Sequence, residues 1–178
     1  SEVMANPAAV SDTVGEWFEL FNPTSNPIDL NGLSILDSGS NSHTITESLF
    51  IQAGSYLVLG RNSDSSINGG FAVDYVYSNF TLGNTTDDIF IEHMGVRISA
   101  LSYDNDGIFG VSGISAQWAG NGYDLTPSDF SYGAGDTGSP GSQGSHQIPM
   151  AAAVPVPPAG WLMASSLCSL LIGKTRRR

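Results

Sequence analysis

The sequence predicts an all-β body, an antiparallel sandwich or barrel, and three observations predict it. Short runs rich in β-branched, aromatic and leucine residues recur at spacings of roughly 10–20 residues. Gly, Asn, Asp, Ser and Pro fill the gaps between them, as turns require. No window before residue 154 carries a 3.6-residue apolar period of helical length. At 178 residues with 40% hydrophobic content, the chain lies in the one-domain range and can bury a core.

The runs justify the strands in order. Within Glu16 to Asn22, Phe18 and Leu20 share one face while Trp17, Glu19 and Phe21 share the other. Aromatics on both faces mark a central strand. Asn22-Pro23 and Asn26-Pro27 then bracket a tight loop, and Asn31-Gly32 reads as a hairpin turn into Leu33-Ser34-Ile35-Leu36, which would set the flanking strands side by side. Further strands are expected at Tyr56-Leu57-Val58-Leu59, Val73 to Tyr77, Ile89-Phe90-Ile91 and Val96 to Leu101.

Charge narrows the function classes. Residues 1–173 hold all 17 carboxylates against Arg61 and Arg97, a net −15, while Lys174, Arg176, Arg177 and Arg178 supply +4 at the other end. An acidic body repels phosphate backbones, so nucleic acid is not an expected partner. The single cysteine, Cys168, allows neither an internal disulfide nor a cysteine-rich zinc site.

Candidate chemistry is sparse, and no enzyme activity is expected. Glu16 and Glu19 stand at an odd spacing that sends them to opposite faces, so they form no acid–base dyad; Glu19 is expected to meet Arg61 or Arg97 or to sit in water. His43, His93 and His146 lie far apart without a metal-ligand spacing, and no Gly-x-Ser-x-Gly elbow opens a helix. Asp104-Asn105-Asp106-Gly107 resembles the start of a calcium loop, since alternating short oxygen ligands before a glycine can wrap a hard cation. It lacks the closing glutamate, so a weak calcium site would recruit Asp87 and Asp88; an ordinary Asx-rich turn is the competing reading. Trp118, Tyr123, Phe130 and Tyr132 are either an exposed platform for stacking sugars or, more in keeping with their size, part of the core. Asn79-Phe80-Thr81 and Asn84-Thr85-Thr86 fit the glycosylation acceptor pattern and mark an exposed loop.

The far end of the sequence reads differently. Ala159 to Gly173 is free of charge and, with Val154 to Pro158, approaches the length of a single transmembrane helix. Trp161 suits a headgroup belt, and the cluster 174–178 would stay cytoplasmic, leaving the body outside. Val154-Pro155-Val156-Pro157-Pro158 cannot continue a helix and forms a stiff joint. Taken together, Val154 to Pro158, Trp161, the apolar stretch and Arg176-Arg177-Arg178 resemble the PEP-CTERM sorting signal of Gram-negative bacteria, with Val156 where that signal carries an acidic residue. The resemblance implies an exosortase, a membrane protease-transpeptidase, as partner, inner-membrane anchoring during sorting, and delivery to the cell surface or extracellular matrix. Ser1 opens directly on a strand without an apolar leader, so export would need a signal peptide removed from, or lying outside, this sequence.

The body carries a second resemblance. Gly15-Glu16-Trp17-Phe18-Glu19-Leu20-Phe21-Asn22, Ile28-Asp29-Leu30-Asn31-Gly32-Leu33 and Ile51-Gln52-Ala53-Gly54-Ser55-Tyr56-Leu57-Val58-Leu59-Gly60 resemble successive strand motifs of the bacterial lamin-tail domain. Ser1 to Pro7 is similar to its opening strand, and Leu82-Gly83-Asn84, Asp88 to Ile91 and Gly95-Val96 to its later hairpin. Gly113 to Trp118 and Gly138-Ser139-Pro140-Gly141 extend the likeness to about residue 144. The resemblance implies an immunoglobulin-like sandwich over 1–144, a linker over 145–153 and the sorting signal over 154–178. It also implies a non-catalytic module that contacts partners, here extracellular polysaccharide or other surface proteins; the family's nuclear role does not carry over to an acidic body without a coiled-coil rod. The alternative is a calcium- or polysaccharide-binding module held permanently in the membrane by its tail.

Overall fold

The computed structural model describes residues 1–104 and 107–152. Its strands, in chain order, are β1 (Glu2–Met4), β2 (Trp17–Phe21), β3 (Ile28–Asp29), β4 (Leu33–Leu36), β5 (Ser42–Thr44), β6 (Phe50–Ile51) and β7 (Tyr56–Gly60). There follow β8 (Tyr75–Val76), β9 (Asp87–His93), β10 (Val96–Tyr103), β11 (Ala116–Trp118), β12 (Tyr123–Leu125), β13 (Ser131–Tyr132) and β14 (Asp136–Thr137). One helical turn, α1 (Asp12–Gly15), joins β1 to β2 and is the helix among the described residues. The described residues are therefore all-β with little helix, as expected of the body. The expected transmembrane helix at 159–173 lies outside the described residues; among those described, no helix is long and apolar enough to cross a membrane.

Two sheets carry the fold. One has six strands in the order β12-β11-β1-β2-β7-β8, the other four in the order β10-β9-β4-β5. Named strand pairs are antiparallel except β7 with β8, which run parallel, a departure from the purely antiparallel expectation. The central position expected of Trp17–Phe21 holds: β2 lies between β1 and β7.

Alternation explains how the sheets meet. Leu33 and Ile35 of β4 and Ile89 and Ile91 of β9 turn inward, against Val3, Phe18, Leu57 and Leu59 from the six-stranded sheet. Each such side chain contributes about 1.5–3 kcal/mol when taken from water. Phe18, Tyr77 and Phe80 add tilted and edge-on ring contacts at 5.6–6.4 Å between centroids.

The outer face of the six-stranded sheet is covered as well. Met4, Trp17, Val58 and Phe71 form a second cluster there, with Tyr132 and Val73 packed on it. The cover depends on two loops touching through glycines: a Cβ placed on Gly133 would lie 1.9 Å from the carbonyl oxygen of Gly69, and Gly133 also has φ +47°.

One expected connection is corrected. Asn31-Gly32 does form a turn, closed by Leu33 N donating to Leu30 O at 3.0 Å with Gly32 at φ +83°. It does not make a hairpin. β3 pairs with β6, whereas β4 pairs with β5 and β9, so the turn carries the chain from one layer to another. Leu30 and Leu33 are both buried, and driving both inward prevents the flat return a hairpin needs.

Candidate interaction surface

The two lateral sides of the sandwich differ. On one side, His43 of β5 and Tyr75 of β8 share a hydrogen bond of 2.9 Å, and Ser42 N donates to Asn79 O, so the sheet edges are laced together. On the other side, β10 and β12 are outermost in their sheets and between them lies an apolar cleft of about 430 Å³. Leu20, Ile51, Ile91, Ile98, Trp118 and Tyr123 give its character, and no charged side chain is among its described lining residues.

Aromatic stacking props this side open. Tyr103 of β10 stacks on Phe109 at 4.5 Å, Phe109 meets Tyr123 of β12 at 5.0 Å, and Tyr123 meets Trp118 of β11 at 5.4 Å. The row ties the two edges without sealing them. Burial pushes the Tyr123 phenol up to about 12 and raises Tyr103 as well, so both rings stay neutral.

Strand β10 is the exposed rim. Its register with β9 slips between Arg97 and Ser99, which leaves Ile98 as a bulged residue, 63% exposed, beside Val96 at 65%. Arg97 does not soften this edge. Its guanidinium lies 3.7 Å from the Phe90 ring centre and bonds Glu92 Oε1 at 3.0 and 3.1 Å on the outer face.

Residues 139–152 run across the domain as a strap. Gly141 N donates to Glu19 Oε2 (2.7 Å), Gln117 and Ser145 exchange bonds of 2.8 and 2.9 Å, and Ala151 N donates to Pro23 O (2.6 Å). Ile148 of the strap lines the cleft. The segment expected as a linker over 145–153 is thus bonded to the domain through residue 151.

The strap corrects the expectation for Glu19, which meets neither arginine nor water. It is buried, bonded by Ser1 Oγ (2.8 Å) and Gly141 N, because residues distant in sequence return to cover its face of β2. Arg61 instead pairs with Glu16 at 3.0 Å, beside the amide of Leu82 at 3.2 Å. Burial pushes the carboxyls of Glu16 and Glu19 up to about 7 each, against the opposing pull of those donors.

A pH dependence follows. Each folded carboxyl near 7 keeps a proton that the unfolded chain, near 4.5, has released. The associated stability is complete below about 4.5 and is lost as pH rises through 7. Half-buried Asp87 is shifted the same way, while His43 and the Ser1 amino group, both held below their ordinary values by burial, oppose the trend on the acid side. The melting temperature is expected to be roughly 5 °C higher at pH 5.5 than at pH 8. Glu19→Gln should flatten the difference; a wild-type melting temperature that rises between those pH values would refute the assignment.

The other residues singled out by sequence are placed as follows. Asp87, Asp88 and Asp104 line a polar cavity of about 610 Å³ with Asp37 and Ser38, a partner sequence reasoning missed. Their oxygens are engaged locally: Asp87 accepts from Gly83 N (2.6 Å) and Asp88 N (2.7 Å), and the hydroxyls of Ser102 and Ser38 hold the Asp88 carboxyl below its usual value. Among the described residues no group of three or more His, Cys, Asp or Glu is placed to hold a metal ion. Asp106 lies outside them, as do Val154, Pro155, Val156, Pro157, Pro158, Trp161, Arg176, Arg177 and Arg178.

The four aromatics do not form one platform. Trp118 and Tyr123 line the cleft, whereas Tyr132 packs on Trp17 and Phe71 over the outer face, with Phe130 beside it. Of the acceptor asparagines, Asn79 is exposed, and Asn84 is half-buried with its amide donating to Asp12 Oδ2 (3.0 Å).

No curated protein matches the chain. The family model described as Lamin Tail Domain matches residues 1–105, the stretch that runs from β1 to the end of β10. Strands β11 and β12 and the strap lie beyond the matched residues. With more than half its length matched and an all-β sandwich of the family's kind, the chain belongs to the lamin tail domain family.

Proposed function

We propose that this protein is a non-catalytic structural or interaction module, exported and sorted to the cell surface or extracellular matrix through its segment 154–178. The observation that carries the reading is the union, in one chain, of a lamin tail sandwich with an uncharged run ending in Lys174, Arg176, Arg177 and Arg178. The lamin tail fold is typically structural rather than enzymatic, and an acidic body stays soluble outside the cell. Exosortase is the enzyme that would recognise the Val154 to Pro158 motif, and surface polysaccharide or surface proteins are the partners such an address would bring within reach.

Expression of the full chain behind a signal peptide, in matched hosts with and without an exosortase, tests this. With the enzyme, the domain is expected at the surface or in the medium at a mass lacking the basic cluster; without it, intact and membrane-bound. Intact chain in the same soluble fraction of both hosts would overturn the proposal.

A further inference from the structure

The cleft between β10 and β12 exposes apolar surface that a soluble domain ordinarily covers, beside an edge strand whose Val96 and Ile98 face water. No charged side chain is among its described lining residues, and the Ser1 amino group there is already bonded to Glu19 O, so a charged occupant would lose its hydration without gaining a partner, and an uncharged apolar one fits.

Three observations select an occupant from the same chain. The first is where the strap leads. Ile148 is on the cleft wall and Ala151 bonds to Pro23, itself on that wall, so residues 153–178 start from the cleft's rim. The second is chemical match: Ala159 to Gly173 carries no charge and includes Trp161, Leu162, Met163, Leu167, Leu170 and Leu171. The third is electrostatic. Residues 1–173 hold 17 carboxylates against two arginines, and the four cations that follow are tethered to that excess. Eight residues lie between Ala152 and Trp161, a reach of about 28 Å over nine steps in an extended, proline-rich form, which keeps the apolar stretch at high effective concentration near the cleft.

We infer that the cleft between β10 and β12 receives apolar side chains of the Trp161–Leu171 stretch while the protein is in water, shielding this segment until a membrane or a processing enzyme takes it. The docking does not depend on the proposed sorting role; only the release does.

The lone thiol of Cys168 supplies the probe. A paramagnetic tag on Cys168 of the full chain, at low micromolar concentration without detergent, is expected to broaden the Ile98 amide and the Trp118 indole signals. Mixing tagged unlabelled protein with untagged isotope-labelled protein should leave those signals sharp. Trp161→Lys, which leaves the domain sequence untouched, and Ile98→Asp, at an exposed position, should each restore the signals and raise the alkylation rate of Cys168 about tenfold. Sharp signals in the tagged wild type, broadening that survives both variants, or broadening that appears only between molecules would overturn the inference. The processing assay above is unaffected by any of these results, so the two readings fail separately.

Discussion

Glu2→Ala is expected to lower unfolding stability by about 3 kcal/mol, roughly 10 °C in melting temperature. Glu2 is 2% exposed, and its carboxyl gathers four bonds: from Ser115 Oγ (2.5 Å), Thr126 Oγ1 (3.3 Å), Ser139 N (2.9 Å) and Ser139 Oγ. The donors would not suffer equally from its removal. Ser115 and Thr126 already lie 2.7 Å apart and Ser115 can turn to Thr137 O at 3.1 Å, so these hydroxyls find other acceptors. Ser139 has no such recourse, and two buried donors without partners at about 1–2 kcal/mol each set the size of the effect. Glu2→Gln keeps one acceptor oxygen and should cost about 1 kcal/mol. Denaturant unfolding of the two variants separates them, and a Glu2→Ala protein within 1 kcal/mol of wild type would show that the cluster is not a structural staple.

Trp17→Ala should cost about 3–5 kcal/mol, because it empties the centre of the outer cluster. Trp17 is fully buried, lies 5.8 Å from Phe71 and 6.1 Å from Tyr132 between ring centres, and donates Nε1–H to Tyr132 Oη at 3.0 Å. Trp17→Phe retains most of the packing and loses the bond, for about 1–2 kcal/mol. Hydrogen exchange gives an independent reading. In Trp17→Phe the amide of Gly138, bonded to Phe130 O, should exchange faster, while Leu57 in the inter-sheet core keeps its protection. Equal acceleration at both sites would mean that the outer cluster is no separate unit.

The strands richest in β-branched, aromatic and leucine residues are readable from sequence. The runs Trp17 to Phe21, Tyr56 to Leu59 and Val96 to Leu101 coincide with β2, β7 and β10 because composition between turn residues is a local signal. What failed depended on residues far apart. Glu19 looks like a solvent-facing charge within β2, and nothing nearby in sequence announces that Gly141 returns to bond it. The cleft was equally hidden, since its walls combine Leu20, Ile51, Ile98 and Trp118, residues joined only by strand order. Part of the acidic cavity was legible because Asp87 and Asp88 pair across β9–β10 with Tyr103 and Ser102, whereas Asp37 arrives from beyond β4.

The strap over 139–152 also decides how the molecule bears tension. A pull applied beyond residue 152 loads Ala151–Pro23 first, then the Ser145–Gln117 pair, then Gly141–Glu19, one after another rather than together. Bonds loaded singly yield at low force, and peeling these fourteen residues pays out about 45 Å of chain. Strand β1, clasped on both flanks by β2 and β11, is loaded last, through Ser139 on Glu2. The sandwich thus carries its own shock absorber.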